Sequence, residues 1–165
     1  MGDFFTNISH KISNNTPRLS YGIAVTDINK DGTDEFIVTG FKYPNLALKY
    51  ESGQLINVVS ENVFQDSARS SIGVAACDVD GDGYEEIYIL NTDTYSGQKK
   101  YTDRLLDSDP ELFDLFELDR NQYYLNLTAG RSVICVDRKG DGNYGFYVAN
   151  YGGPTRFYEM RDNII

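Results

Sequence analysis

A chain of 165 residues, 41% hydrophobic and 13% aromatic, is long enough to bury one ordinary core and too apolar to remain disordered. Its 25 acidic against 15 basic residues leave a formal net charge of −10, which disfavours nucleic acid and anionic membranes and favours cations or basic protein surfaces. No apolar run approaches the roughly 18 residues of a membrane-crossing helix, and MGDFFTNISHK lacks a basic segment followed by an apolar stretch, so neither membrane insertion nor an export signal is expected within this chain.

In chain order, Phe4 to Ile8 looks like a lone outer strand ahead of three related units. Each unit carries an apolar strand into an acidic turn and out along a second apolar strand: YGIAVTDINKDGTDEFIVTGF, IGVAACDVDGDGYEEIYILN and RSVICVDRKGDGNYGFYVANY. The leading acids Asp27, Asp78 and Asp137 stand roughly 50 to 60 residues apart, a spacing typical of repeat arrays. In the first unit Gly22 to Thr26 and Phe36 to Phe41 flank the turn, and Asn45 to Tyr50 and Leu55 to Ser60 follow as third and fourth strands. The second has Glu86 to Leu90 as its return strand, a long middle, a strand expected over Leu112 to Leu118 and another over Tyr123 to Leu127. The third has Phe146 to Asn150 as its return strand and falls short of a full fourth strand near Ile165.

Four antiparallel strands in about 50 residues make one propeller blade. The expected fold is therefore all-β, a partial β-propeller of about three blades (20–69, 70–128 and 129–165, the last incomplete). Closed propellers use about four to eight blades, so the chain is expected either to be a piece of a larger propeller or to close by pairing its open edges with another copy.

The turns carry the chemistry. Counting Asp27 as position 1, oxygen-bearing side chains fall at positions 1, 3, 5 and 9 as Asp27, Asn29, Asp31 and Glu35, and Thr33 at position 7 offers its carbonyl. The second turn repeats this with Asp78, Asp80, Asp82, Tyr84 and Glu86. Alternate residues of a tight loop converge on one point, and a cluster of carboxylates at about 4 Å repels by about 4 kcal/mol per pair at an effective dielectric near 20 unless a cation is bound. Hard oxygen donors without His or Cys select calcium. An EF-hand is excluded because its position 12 needs a bidentate Glu, where Val38 and Ile89 stand, and because the flanks are strand-like. In the third turn Lys139 and Gly145 occupy positions 3 and 9, so the Lys139 ammonium is expected to replace the ion in a salt bridge with Asp137 and Asp141. Two calcium sites are expected.

Strand alternation puts Cys77 and Cys135 on opposite faces, so two small buried hydrophobes are favoured over a mutual disulfide. Asn7, Asn14 and Asn126 head Asn-X-Ser/Thr sequences and are candidate glycosylation sites. No catalytic constellation emerges. Gly140, Gly142 and Gly145 spell GxGxxG, but a strand follows where a pyrophosphate-binding helix is needed. His10 is the only histidine, and the acid pair Asp80 and Glu85 is better explained by metal spacing than by glycoside hydrolysis.

The turns resemble FG-GAP repeats, the calcium-binding blades of integrin α-subunit propellers. The segments above, with PNLALKY, YTDRLL and especially AGRSVICVDRKG, are more similar to the cartilage acidic protein family, a likeness running from about Phe4 to Met160. The resemblance implies a secreted calcium-binding glycoprotein of the extracellular matrix, non-catalytic, whose ligand roles fall on the residues named in the first two turns. The expected partner is an extracellular protein or matrix component. The alternative is a self-assembling structural protein joined through open blade edges.

Overall fold

The computed structural model describes residues 4–160, whose strands form three separate antiparallel sheets. The first joins β1 (Ser20–Thr26), β2 (Glu35–Gly40), β3 (Leu46–Glu51) and β4 (Gln54–Asn57) in chain order. The second joins β5 (Ser71–Cys77), β6 (Glu86–Asn91), β7 (Arg104–Asp107) and β8 (Phe113–Asp114), and the third joins β9 (Gly130–Val136), β10 (Gly145–Asn150) and β11 (Arg156–Glu159). Consecutive strands pair because antiparallel neighbours need only short connections.

The sheets stack, with β5 packed between β1 and β9. All six residues of β6 are buried. Ile87 and Ile89 pack with Ile37 and Ala47 of the first sheet, whereas Tyr88 and Leu90 pack with Phe146, Val148 and Tyr158 of the third. A strand buried on both faces has no solvent-facing side, which is why Ile87 to Leu90 (IYIL) is an unbroken apolar run. The Tyr88 ring lies 5.4 Å from Phe146, 5.8 Å from Tyr158 and 5.9 Å from Phe116, contacts worth about 0.5–1.5 kcal/mol each beyond their buried area. The outermost faces remain open: Tyr21, Ile23 and Val25 are exposed on the first sheet, and Ile134, Tyr147 and Phe157 on the third. Three stacked antiparallel sheets without closure are the expected partial propeller.

Several expectations need correction. Phe4 to Ile8 forms no strand, and Phe4 and Phe5 are exposed. The chain instead makes a 3₁₀ turn at Ser9–Lys11 and touches the first sheet's outer edge through one parallel bridge from Ile12 to Leu55. The stretch from Leu112 is a strand only at Phe113–Asp114, followed by 3₁₀ helices at Leu115–Glu117 and Asp119–Tyr124. Asp114 stops the ladder by accepting the N–H groups of Leu105 and Phe116, both at 3.0 Å, while the Arg104 guanidinium holds its other oxygen at 2.8 Å. The strand expected over Tyr123 to Leu127 is likewise helical turn and coil, drawn in by the Asn121 side chain donating to the Leu115 carbonyl at 2.8 Å.

The cysteines also pair, as a Cys77–Cys135 disulfide with Cα atoms 6.1 Å apart. The two thiols do leave opposite faces of their own sheets, but the sheets are stacked. The face of β5 that carries Cys77 is the one that meets the face of β9 carrying Cys135.

Candidate metal centre

Each acidic turn joins the first two strands of its sheet and is wound by its leading aspartate. Asp27 accepts the N–H of Asp31 at 3.0 Å and of Gly32 at 2.7 Å, and Asp78 accepts those of Gly81 at 2.6 Å and Gly83 at 3.0 Å. The tight winding places Gly32 at φ 84° and Gly83 at φ 93°, left-handed conformations that favour glycine. At position 9 each glutamate is buried and accepts the N–H of position 2: Ile28 to Glu35 at 3.2 Å, Val79 to Glu86 at 2.9 Å.

In the second turn, carboxylate oxygens of Asp78, Asp80 and Glu86 all lie within 4.8 Å of one another. Asp82 joins through its N–H to Asp80 at 3.0 Å and accepts the Tyr84 N–H at 2.8 Å. Burial, reinforced by Asp80, Asp107 and Asp82, pushes the Glu86 carboxyl up to about 8, and burial also raises Asp80. Among the described residues no lysine, arginine or histidine forms an ion pair with Asp78, Asp80, Asp82 or Glu86. A buried carboxylate among carboxylates, with no counter-charge and only oxygen donors nearby, fits a hard divalent cation. The Tyr84 ring carries the Lys30 ammonium 4.0 Å from its centroid, and Lys30 also pairs with Asp109 at 3.2 Å, so the first turn leans on the second.

In the first turn the carboxylates of positions 5 and 9, Asp31 and Glu35, meet a protein cation. Lys49 Nζ donates to Asp31 and lies 3.9 Å from Glu35 Oε1. The lysine bond holds the Asp31 carboxyl below, and the Lys49 ammonium above, its usual range, while burial and then Asp31 raise Glu35. Thr33 donates its N–H to Asp31 at 3.1 Å. Lys49 was not foreseen, because nothing local to the turn points to it.

The third turn departs from expectation. Lys139 is exposed, and among the described residues it makes no ion pair with Asp137 or Asp141. Asp137 instead accepts four backbone N–H groups, from Gly142 at 2.8 Å, Gly140 at 2.7 Å, and Asp141 and Lys139 at 3.2 Å, which hold its carboxyl low. Backbone donors satisfy the carboxylate, so the lysine stays in water.

Of the candidate glycosylation residues, Asn7 and Asn14 are exposed. Asn126 is fully buried, and its amide donates to Asp103 at 2.7 Å and to Asn150 at 3.0 Å, which corrects its candidacy because a glycan needs that nitrogen in the open. Asp103 is the centre of a buried network that sequence reading missed: it also accepts the Tyr88 hydroxyl and the Asn91 N–H, each at 2.7 Å, and pairs with the fully buried Lys99. GxGxxG runs directly into β10, without a helix.

Residues 27–89 match the FG-GAP-like repeat, a span that runs from the leading aspartate of the first turn through the whole of the second. The first two acidic turns lie within that match. The chain is 42% identical over 171 residues to cartilage acidic protein 1 of Xenopus tropicalis, 40% over 177 to the human protein and 41% over 177 to the mouse protein. Each alignment covers 94% of this chain but only 26–27% of the relative, so the chain spans about a quarter of the proteins it matches. The third turn, with fewer carboxylates at the corresponding positions, lies outside the matched span.

Proposed function

We propose that this chain is a calcium-binding, non-catalytic β-propeller module of an extracellular protein, holding a protein or matrix partner through its loops. The observation that carries the calcium reading is the second turn, where Asp78, Asp80 and a buried, cation-free Glu86 converge. Asp82 and the Tyr84 carbonyl complete its ligand set; Asp27, Asn29, Asp31, Glu35 and the Thr33 carbonyl form the second site. A bound calcium would supply the positive charge that lets these carboxylates stay ionised together. The chain's own residues do the rest: the leading aspartates wind the loops and the buried glutamates tie each loop to its sheet.

The disulfide supports a secreted setting, since such bridges persist in oxidising compartments. So do relatives whose name places them in cartilage, and exposed Asn7 and Asn14, which stand ready for glycosylation. Native mass spectrometry with and without calcium, paired with hydrogen exchange in chelator, tests the reading. Bound calcium, and faster exchange in the first two sheets than in the third after chelation, are expected; a protein without calcium at millimolar free ion would overturn it.

A second reading, self-assembly, is favoured by the exposed apolar residues on both outer faces of the stack. Sedimentation across a hundredfold concentration range separates the two, because a constant monomer mass excludes it.

A further inference from the structure

Strand register places one third-strand residue opposite position 9 of every turn. In the first sheet Phe36 faces Leu48 and Ile37 faces Ala47, so the next pair is Glu35 with Lys49. In the second, Ile87 faces Leu106 and Tyr88 faces Leu105, so the next pair is Glu86 with Asp107. In the third, Gly145 faces Glu159 directly. Side chains of such opposed residues emerge on the same face with Cβ atoms about 4.5–5.5 Å apart, close enough to share a ligand. The three equivalent positions therefore present a cation, an anion, and an anion beside a glycine.

Each has a visible consequence. Lys49 sends its ammonium among the carboxylates of the first turn, bonded to Asp31 and 3.9 Å from Glu35, so a cation already sits in that pocket. Asp107 opens instead into a cavity of about 190 Å³ that it shares with Asp80 of the second turn. In the third turn a Cβ on Gly145 would lie 2.4 Å from the Tyr158 carbonyl oxygen and 3.0 Å from Glu159 Cγ, so no glutamate fits at position 9, and Glu159 is engaged by Arg138 at 2.8 Å.

We infer that the residue opposite position 9 sets the calcium affinity of each turn: Asp107 adds a carboxylate to the second site, and Lys49 is a built-in competitor at the first. This rests on the calcium reading proposed above and adds an order to it. Calcium fills the second turn first, and it enters the first turn only by displacing the Lys49 ammonium. Replacing a positive by a negative neighbour at such range separates the two affinities by about tenfold or more.

Calorimetric titration of the calcium-free, disulfide-intact chain with calcium chloride tests it. Two binding steps at least about tenfold apart are expected. Lys49→Gln should tighten the weaker step by about tenfold and leave the tighter one in place, Lys49→Arg should behave as wild type, and Asp107→Asn should weaken the tighter step by a similar factor. Without any substitution, NMR of the lysine side chains should show Lys49 Nζ moving with the second equivalent of calcium and not with the first. Two indistinguishable steps, or a Lys49 signal that ignores calcium, would overturn the inference and leave the calcium reading standing; no binding step at all would overturn both.

Discussion

Removing the Cys77–Cys135 bridge frees a loop whose ends are 58 residues apart in sequence. In the chain-entropy treatment, closing a loop of that length is worth about 4 kcal/mol at 25 °C, a large share of the roughly 5–15 kcal/mol by which a domain is stable. With a urea slope near 2 kcal/mol/M, the unfolding midpoint should fall by about 2 M. The bridge joins the second and third sheets, so the loss should appear first as faster hydrogen exchange in β9, β10 and β11. Urea unfolding of oxidised protein, reduced protein and the Cys77→Ala/Cys135→Ala variant, all at saturating calcium, supplies the measurement. Reduced and doubly substituted protein should agree closely, since Cys77 is buried beside Ala75 and Tyr88 and alanine leaves only a small void there. Equal midpoints for oxidised and reduced protein, or two titratable thiols in the native chain, would refute the pairing and the stacking from which it follows.

Lys99→Met should cost about 3–5 kcal/mol, because it strands the fully buried Asp103 carboxylate; the same urea assay reads it, and a loss under 1 kcal/mol would show that Asp103 is not charged in the fold. Expressed through a secretory route, the chain should lose at most two glycans on enzymatic deglycosylation, with Asn126 unmodified by peptide mapping. Calcium binding should release protons near pH 7, because Glu86 holds its proton up to about 8 instead of the ordinary 4.5 and must give it up to ligate. The sign for the calcium-free protein follows from the same residue: the folded state binds more protons than the unfolded one between pH 4.5 and about 8, so stability falls as pH rises through that window. Titrations in buffers of different ionisation enthalpy check the first, and unfolding in chelator across that range checks the second; Glu86→Gln should abolish both effects.

The sequence by itself determined the strands around each turn and the pattern of candidate ligands within it. Both are local: alternation repeats every two residues, and the candidate ligands from Asp78 to Glu86 span nine positions of one loop. Glu86 to Leu90 was legible as a return strand, and the structure adds that it is buried on both faces. Where local pattern was ambiguous, as from Leu112 to Leu127, a capping contact from Asp114 and a side-chain bond from Asn121 outweighed the partial alternation. Only the tertiary structure decided which residues separated in sequence would share a space. Stacking of sheets turned opposite-facing cysteines into a pair, burial converted Asn126 from a glycan acceptor into a partner of Asp103, and strand register delivered Lys49 to one turn and Asp107 to the other. These depend on the order in which sheets pack and on a pairing register that a one-residue slip would invert, quantities fixed by the burial of whole faces rather than by any short run of residues.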